Sequence, residues 1–308
     1  EKISAFIQNQ LSAGKTHYDE NMFFQALSEI EILDFYCSRF PAKSAVYEPR
    51  LGVGQANPEA SFRAMFPCDQ GEDFEIKVNI EVKTPRFPSL DECHDRSAIS
   101  TVLLTNEGRD KFQQLCESHG VMCVFPRVNK LVEFINSASK KFQEPKENEY
   151  NLLYINWSYS DFPSNSFLEA WSLLTNDFNG LLTHREIGPK LHLSEPLNPE
   201  AFSKITAIIV YTSSLDQLMF TDFRYVWQGT NPDVGQRFRM FVLDEKLRDA
   251  EISCNSKVLF TITGMRPSIL EPKSWKLLFN RNRNSNTIDD QLFCRQALDI
   301  INEYPLTF

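Results

Sequence analysis

The sequence predicts an α/β fold, a mixed β-sheet flanked by helices, on three observations. The first is the segment Asp73–Lys83 (DFEIKVNIEVK), which alternates with the two-residue period of a strand. Phe74, Ile76, Val78, Ile80 and Val82 share one face, and Glu75, Lys77, Asn79, Glu81 and Lys83 share the other. The second is a set of apolar runs, Val121–Phe125, Leu152–Trp157 and Ile205–Tyr211, which read as strands covered on both faces. The third is their order. Extended segments come first in succession, then strands alternate with helical patterns, so one sheet should hold both antiparallel and parallel pairs.

The elements follow in sequence. Asn21–Arg39 is expected to be a helix, with Phe23, Ala26, Ile30, Leu33 and Cys37 at helical spacing and Phe24, Leu27 and Phe35 widening the apolar surface. Pro41 stops it. Glu29, Glu31 and Asp34 lie on this mostly apolar helix and should flank the stripe. Ala45–Val53 and Ala60–Phe66 read as strands. Thr84-Pro85 ends the alternating strand, since proline cannot donate to a ladder. Asn106–His119, Val128–Phe142 and Ser166–Thr175 are expected helices. The chain is expected to form one domain over residues 1–215, with 216–308 as an extension packed on it.

Composition narrows the class. The chain has 308 residues, 42% hydrophobic and 24% charged, an ordinary globular balance. No apolar run reaches the roughly 20 residues of a membrane helix, and the first residues lack a basic-then-apolar signal pattern. A net charge of -9 argues against coating nucleic acid by bulk electrostatics, but not against a local basic groove. Seven cysteines occur with no Cys-x-x-Cys pair, which disfavours a zinc ribbon and fits a reducing cytosol. Phosphate-binding glycine loops and the serine-hydrolase elbow are missing from the sequence.

Acidic-x-Lys is the one pattern that carries chemistry, and it occurs five times: Glu75/Lys77, Glu81/Lys83, Glu144/Lys146, Asp244/Lys246 and Glu271/Lys273. Context selects Glu81/Lys83, on the polar face of the alternating strand near its end. Pairing that strand with Ala60–Phe66 as a hairpin about the connection 67–72 puts Glu59 opposite residue 80, beside Glu81. The Glu75/Lys77 pair should then face Ala64, which offers no carboxylate. Two carboxylates about 5 Å apart at Cβ repel unless a cation with a taste for oxygen, Mg2+ or Mn2+, lies between them. Lys83, two residues beyond Glu81, would hold a water beside that ion, a hydrolytic layout.

These residues resemble the PD-(D/E)xK nuclease superfamily. Asn57-Pro58-Glu59 is followed by Ile80-Glu81-Val82-Lys83-Thr84-Pro85. Upstream lie the helix around Phe24–Ile30 and Val46-Tyr47-Glu48-Pro49; downstream, Lys130–Phe142 and Tyr150–Trp157 look like that family's helix and following strand. The resemblance spans roughly residues 20–215 and implies a restriction-endonuclease-like αβββαβ core. It also implies Glu59 and Glu81 as ligands of Mg2+ (or Mn2+), Lys83 as the water-orienting residue, and Glu29 as an accessory acid, with Glu31 the alternative. Glu59 stands where aspartate is commoner. Glu48 is a further candidate ligand or a solvated edge carboxylate.

Nucleic acid, DNA above RNA, is the partner this implies, with a homodimer or a partner subunit as further company. Basic residues for the phosphate backbone would be Arg86, Arg127 and Lys130 near the strand end. In Lys273–Arg283, Lys276, Arg281 and Arg283 interleave with Trp275 and Phe279, though an amphipathic helix with a charged face is the favoured reading of that segment. Two rival readings stay open. One is a catalytically inactive nuclease-like module that binds protein or nucleic acid. The other is a plain α/β domain in which Glu59 and Glu81 are surface residues paired with Arg63 and Lys83.

Overall fold

The computed structural model describes residues 11, 19–41, 44–51, 56–67, 72–86, 98–100, 105–157, 169–171, 173–175, 180–182, 193–212, 238–243, 258, 262–263, 278–280, 295–297, 299–300 and 303. The chain divides into two compact units whose segments interleave. One comprises Glu1–Arg86, Leu131–Phe167 and Leu197–Leu270; the other Phe87–Lys130, Leu168–Pro196 and Glu271–Phe308. The part after residue 215 gives a strand to each unit's sheet.

The first unit is built on a six-stranded mixed sheet of order β1-β2-β3-β6-β7-β8. Its strands are β1 (Val46–Tyr47), β2 (Ala60–Phe66), β3 (Phe74–Lys83), β6 (Glu149–Asn156), β7 (Ala207–Tyr211) and β8 (Phe238–Val242). β3 pairs antiparallel with β2 and parallel with β6; β6 and β7 are parallel, and β8 returns antiparallel. The α/β class and the mixed pairing are those the pattern predicts. β1 is shorter than expected, because Glu48 leaves the β region at φ 47° and Pro49 has no N–H for a ladder.

Helix α1 (Glu20–Arg39) is capped by the Asp19 side chain, which accepts from the Met22 N–H. It buries Ile32, Phe35 and Tyr36 against Phe62 of β2, Ile76, Val78, Ile80 and Val82 of β3, and Tyr150, Leu152 and Tyr154 of β6. The face differs from the one expected: Ile30 is 39% exposed, and Cys37 is exposed as well. Apolar residues almost all round the helix leave its stripe ambiguous, and large rings settle the matter. Tyr36 stacks on Phe62 at 5.4 Å, and its hydroxyl lies 2.7 Å from that of Tyr154. Glu31, buried, sits beside Tyr211 and helps burial to raise that phenol's pKa.

The opposite face of β3 is polar, as expected, and it is closed at Asn79 and Glu81, which are 1% and 0% exposed. The end of helix α3 (Val128–Lys141) covers it, since Lys141 reaches Glu81 and the Gln143 carbonyl accepts from Asn151 Nδ2. A one-turn helix, α4 (Ala201–Lys204), leads into β7.

The second unit holds helix α2 (Asn106–Ser118) and a three-stranded sheet of order β5-β4-β9, formed by β4 (Ala98–Ser100), β5 (Met122–Val124) and β9 (Leu278–Asn280). Residues 278–280 are thus a strand, where an amphipathic helix was expected: Leu278-Phe279 pairs with the apolar β4. Arg127 is taken by Glu169, to which its Nη2 donates at 2.9 Å.

Candidate active site

The hairpin between β2 and β3 sets the geometry. Its register pairs Ala60 with Ile80 and Arg63 with Lys77, one residue away from the sequence estimate. Strand β3 begins at Phe74 rather than Asp73, so Phe66 pairs with Phe74 and the register shifts by one. The correction favours the site: continued by one pair, the register places Glu59 directly across from Glu81 rather than across from residue 80. It also changes the other tripeptide, because Ala64 faces Ile76, and Glu75 faces Met65.

At the site, the Glu81 carboxylate is fully buried. Its Oε1 lies 2.7 Å from Lys83 Nζ and 2.7 Å from Lys141 Nζ. The same Lys141 ammonium lies 3.5 Å from Glu59 Oε1. One cation therefore touches both carboxylates, so they are close neighbours, as the hairpin argument requires. Neither Glu81 oxygen makes a hydrogen bond of good geometry with a described residue: Oε1 has only these ion-pair contacts, and Oε2 has no partner. An unpartnered carboxylate oxygen at full burial carries a desolvation cost that packing does not explain. The reading of Glu59 and Glu81 as surface residues is overturned, and Arg63 pairs instead with Glu75 at 3.1 Å.

Glu29 joins the cluster from α1. Burial, then the Glu59 and Glu81 charges, push its pKa up to about 8 against the pull of Lys141 and Lys83. Glu59 is pushed up to about 7, by burial and then by Glu81, against the same two lysines. For Lys141 burial works against the charged form, but Glu81 and Glu59 outweigh it and hold the pKa above the ordinary lysine value. Tyr47 on β1 stands by this cluster. Burial, Glu29, Glu59 and Glu48 all raise its phenol. The cluster is thus overfull of negative charge even with two lysines in place, the condition a cation relieves.

Four expected residues, Glu29, Glu59, Glu81 and Lys83, fall in one cluster. Glu31 does not, since it turns to Tyr211. Glu48 is exposed; its N–H donates to the Glu59 carbonyl at 2.8 Å, which fixes the backbone of the ligand candidate. Arg86 is exposed three residues past β3, and Lys276, Arg281 and Arg283 lie outside the described residues. Lys141 was missed as a site residue. Its signal was present in the Lys140-Lys141 pair ending α3, since only one of two adjacent helical residues can face a sheet.

Among the described residues, no group of three or more His, Cys, Asp or Glu side chains is placed to hold a metal ion. A magnesium-type site needs less, one or two carboxylates with waters completing the shell. The oxygens of Glu59 and Glu81, with Oε2 unpartnered, fit that donor set. No family model, curated protein or solved structure matches the chain, so the site is read from its own residues.

Proposed function

We propose that the protein is a Mg2+- or Mn2+-dependent nuclease that hydrolyses phosphodiester bonds, with DNA as substrate, on a restriction-endonuclease-like core. One observation carries this: the carboxylates of Glu81 on β3 and of Glu59, the residue just before β2, share one ammonium, while a fully buried oxygen of Glu81 has no hydrogen-bond partner. Glu59 and Glu81 would hold the ion. When bound, it supplies Lewis-acid stabilisation of the charge that develops on the phosphate.

The chain's own residues do the rest. Lys83, held against Glu81 on a strand whose register with β6 runs to Ile155, has a fixed position from which to hold a water by hydrogen bond. Glu29, whose carboxyl is pushed up by burial and by the Glu59 and Glu81 charges, would stand beside the two ligand candidates as an accessory acid. Gln25, whose Nε2 donates to the Thr84 carbonyl at 3.3 Å, ties α1 to the strand end and keeps Glu29 near the other two acids. Exposed Arg86 is placed to meet backbone phosphate. No nucleophilic side chain is needed, because water attacks.

The test is cleavage of plasmid DNA with Mg2+ by the wild type, Glu81→Ala and Lys83→Ala. Cleavage by the wild type that both variants lose while keeping their far-UV CD spectrum is the expected result. Wild-type-like cleavage by either variant refutes the assignment.

A second reading is a nuclease-like module that binds nucleic acid or protein without cutting. The two lysines on Glu81 favour it, since they compensate the carboxylate without any metal. Mn2+ titration by calorimetry separates the two, as this reading requires no binding above background.

A further inference from the structure

We infer that the Lys141 ammonium is an exchangeable stand-in for the divalent cation: it occupies the place between Glu59 and Glu81 and swings out when the ion enters. The inference rests on the metal-dependent reading above and deepens it, adding a gate that the chain itself supplies.

The geometry is that of a cation bridging two acids. Lys141 Nζ lies 2.7 Å from Glu81 Oε1 and 3.5 Å from Glu59 Oε1. Lys83 Nζ is on the same Glu81 oxygen at 2.7 Å. Two ammonium groups on one oxygen, with the other oxygen of that carboxylate unpartnered, is a poor division of donors. Glu81 Oε2 has none and Oε1 has two charges that repel each other. A divalent ion arriving at Glu59 and Glu81 meets Lys141 at contact range, where like charges at roughly 4 Å cost too much to coexist in a buried place. One ammonium has to leave.

The tethers decide which. Lys83 sits on β3 in register with Ile155 of β6, so its backbone is held by a ladder. Lys141 is the last residue of α3. Both ammonium side chains are 20% exposed, so the backbone tether and not access to water decides between them. A helix C-terminus carries partial negative charge, which favours a nearby ammonium. The displaced ammonium therefore has a favourable resting place within its own reach. Exchange also limits the electrostatic disturbance, since an incoming double charge replaces a single one while Lys83 stays.

The probe is Mn2+, used on the full chain. Titration calorimetry of wild type and Lys141→Met should show binding roughly tenfold tighter, or more, in the variant, because the competing charge is gone. Because Lys141→Met leaves Glu81 half compensated, wild type supplies a readout that does not depend on the variant's folding. Its lysines are acylated with an amine-reactive ester, with and without Mn2+, and quantified by peptide mass spectrometry. Mn2+ should raise Lys141 labelling severalfold and leave exposed Lys140 unchanged as the internal reference. Unchanged or slower Lys141 labelling in the presence of bound Mn2+, or a variant that binds no tighter than wild type, overturns the gate and leaves the metal site standing. No Mn2+ binding by either protein overturns the metal-dependent reading, and the gate with it.

Discussion

Strand β3 carries two acidic-x-Lys tripeptides on one face, Glu75-Ile76-Lys77 and Glu81-Val82-Lys83, and the fold treats them differently. At the first, the two charged residues part company. Glu75 pairs with Arg63 in solvent, at 56% and 55% side-chain exposure, and Lys77 pairs with Glu149 on β6. Asn79 Nδ2 then donates to Glu149 at 2.8 Å and to the Asn151 side chain at 2.7 Å. Although burial opposes it, these partners hold the Glu149 carboxyl below its ordinary pKa. At the second tripeptide, Glu81 and Lys83 turn to each other, Lys141 crowds in, and one carboxylate oxygen is left over. Neighbouring acids there are pushed up rather than down. The tripeptide says little by itself. A charged cluster whose polar atoms are nearly all satisfied is a structural brace, and one left short of positive charge is where a ligand belongs.

The largest effect should come from splitting the two clusters by mutation. Glu81→Gln keeps shape and removes the charge, so Mg2+-dependent cleavage is expected to fall by about a hundredfold to a thousandfold, with thermal unfolding moved by no more than a few degrees. Glu149→Ala should do the reverse. It strands Lys77 and Asn79 in a half-buried place and costs about 1–3 kcal/mol in urea unfolding, with cleavage at permissive temperature retained. If Glu149→Ala abolishes cleavage in a protein of undiminished stability, the division into brace and site is wrong.

A smaller effect separates the clusters by pH. Glu29 and Glu59 are raised from 4.5 to about 8 and about 7 in the folded protein. The native state then holds protons that the unfolded chain has released, so the metal-free protein should lose stability as pH rises from about 4.5 through 7 to 8. The Glu149 carboxyl, lowered, has the opposite sign: its contribution is present above the ordinary glutamate pKa and lost as pH falls below it. Melting in chelator across that range should show a decline of roughly 2–4 °C in Tm, and Glu29→Gln should flatten it. A Tm that climbs steadily to pH 8 contradicts the overcharged site.

How much of this was legible in the sequence depends on what each residue answers to. β2 and β3 were readable because strict alternation leaves one register family, and Ala60–Phe66 was placed to the residue. Glu59, Glu81 and Lys83 could be named together because a hairpin brings its ends into line, whereas Glu29 was named only through the resemblance in motif order. The face of α1 was not readable, since Ile30 and Ile32 are equal candidates until Tyr36 and Phe62 stack. Nor was the burial of the polar face of β3, which depends on where α3 ends. Lys141 reaches its partners across a long sequence separation, and no local spacing encodes that distance. The interleaving of two units by segments distant in sequence lies beyond local pattern for the same reason.

The smallest expected effect tests the exposed end of the gradient. Arg63 donates to Glu75 at 3.1 Å, yet both side chains are more than half exposed. Water and salt screen such a pair, and fixing two long side chains costs rotamer freedom. Across the ladder Arg63 also faces Lys77, a like charge, whose repulsion Arg63→Ala removes. The two terms oppose each other, so Arg63→Ala should change unfolding free energy by no more than about 0.5 kcal/mol in either direction. High salt should shrink whatever difference low salt reveals. A loss above about 1 kcal/mol would mean that exposure does not grade these ion pairs. Depth along β3 could then no longer explain why one acidic-x-Lys pair is ordinary surface and the other is the site.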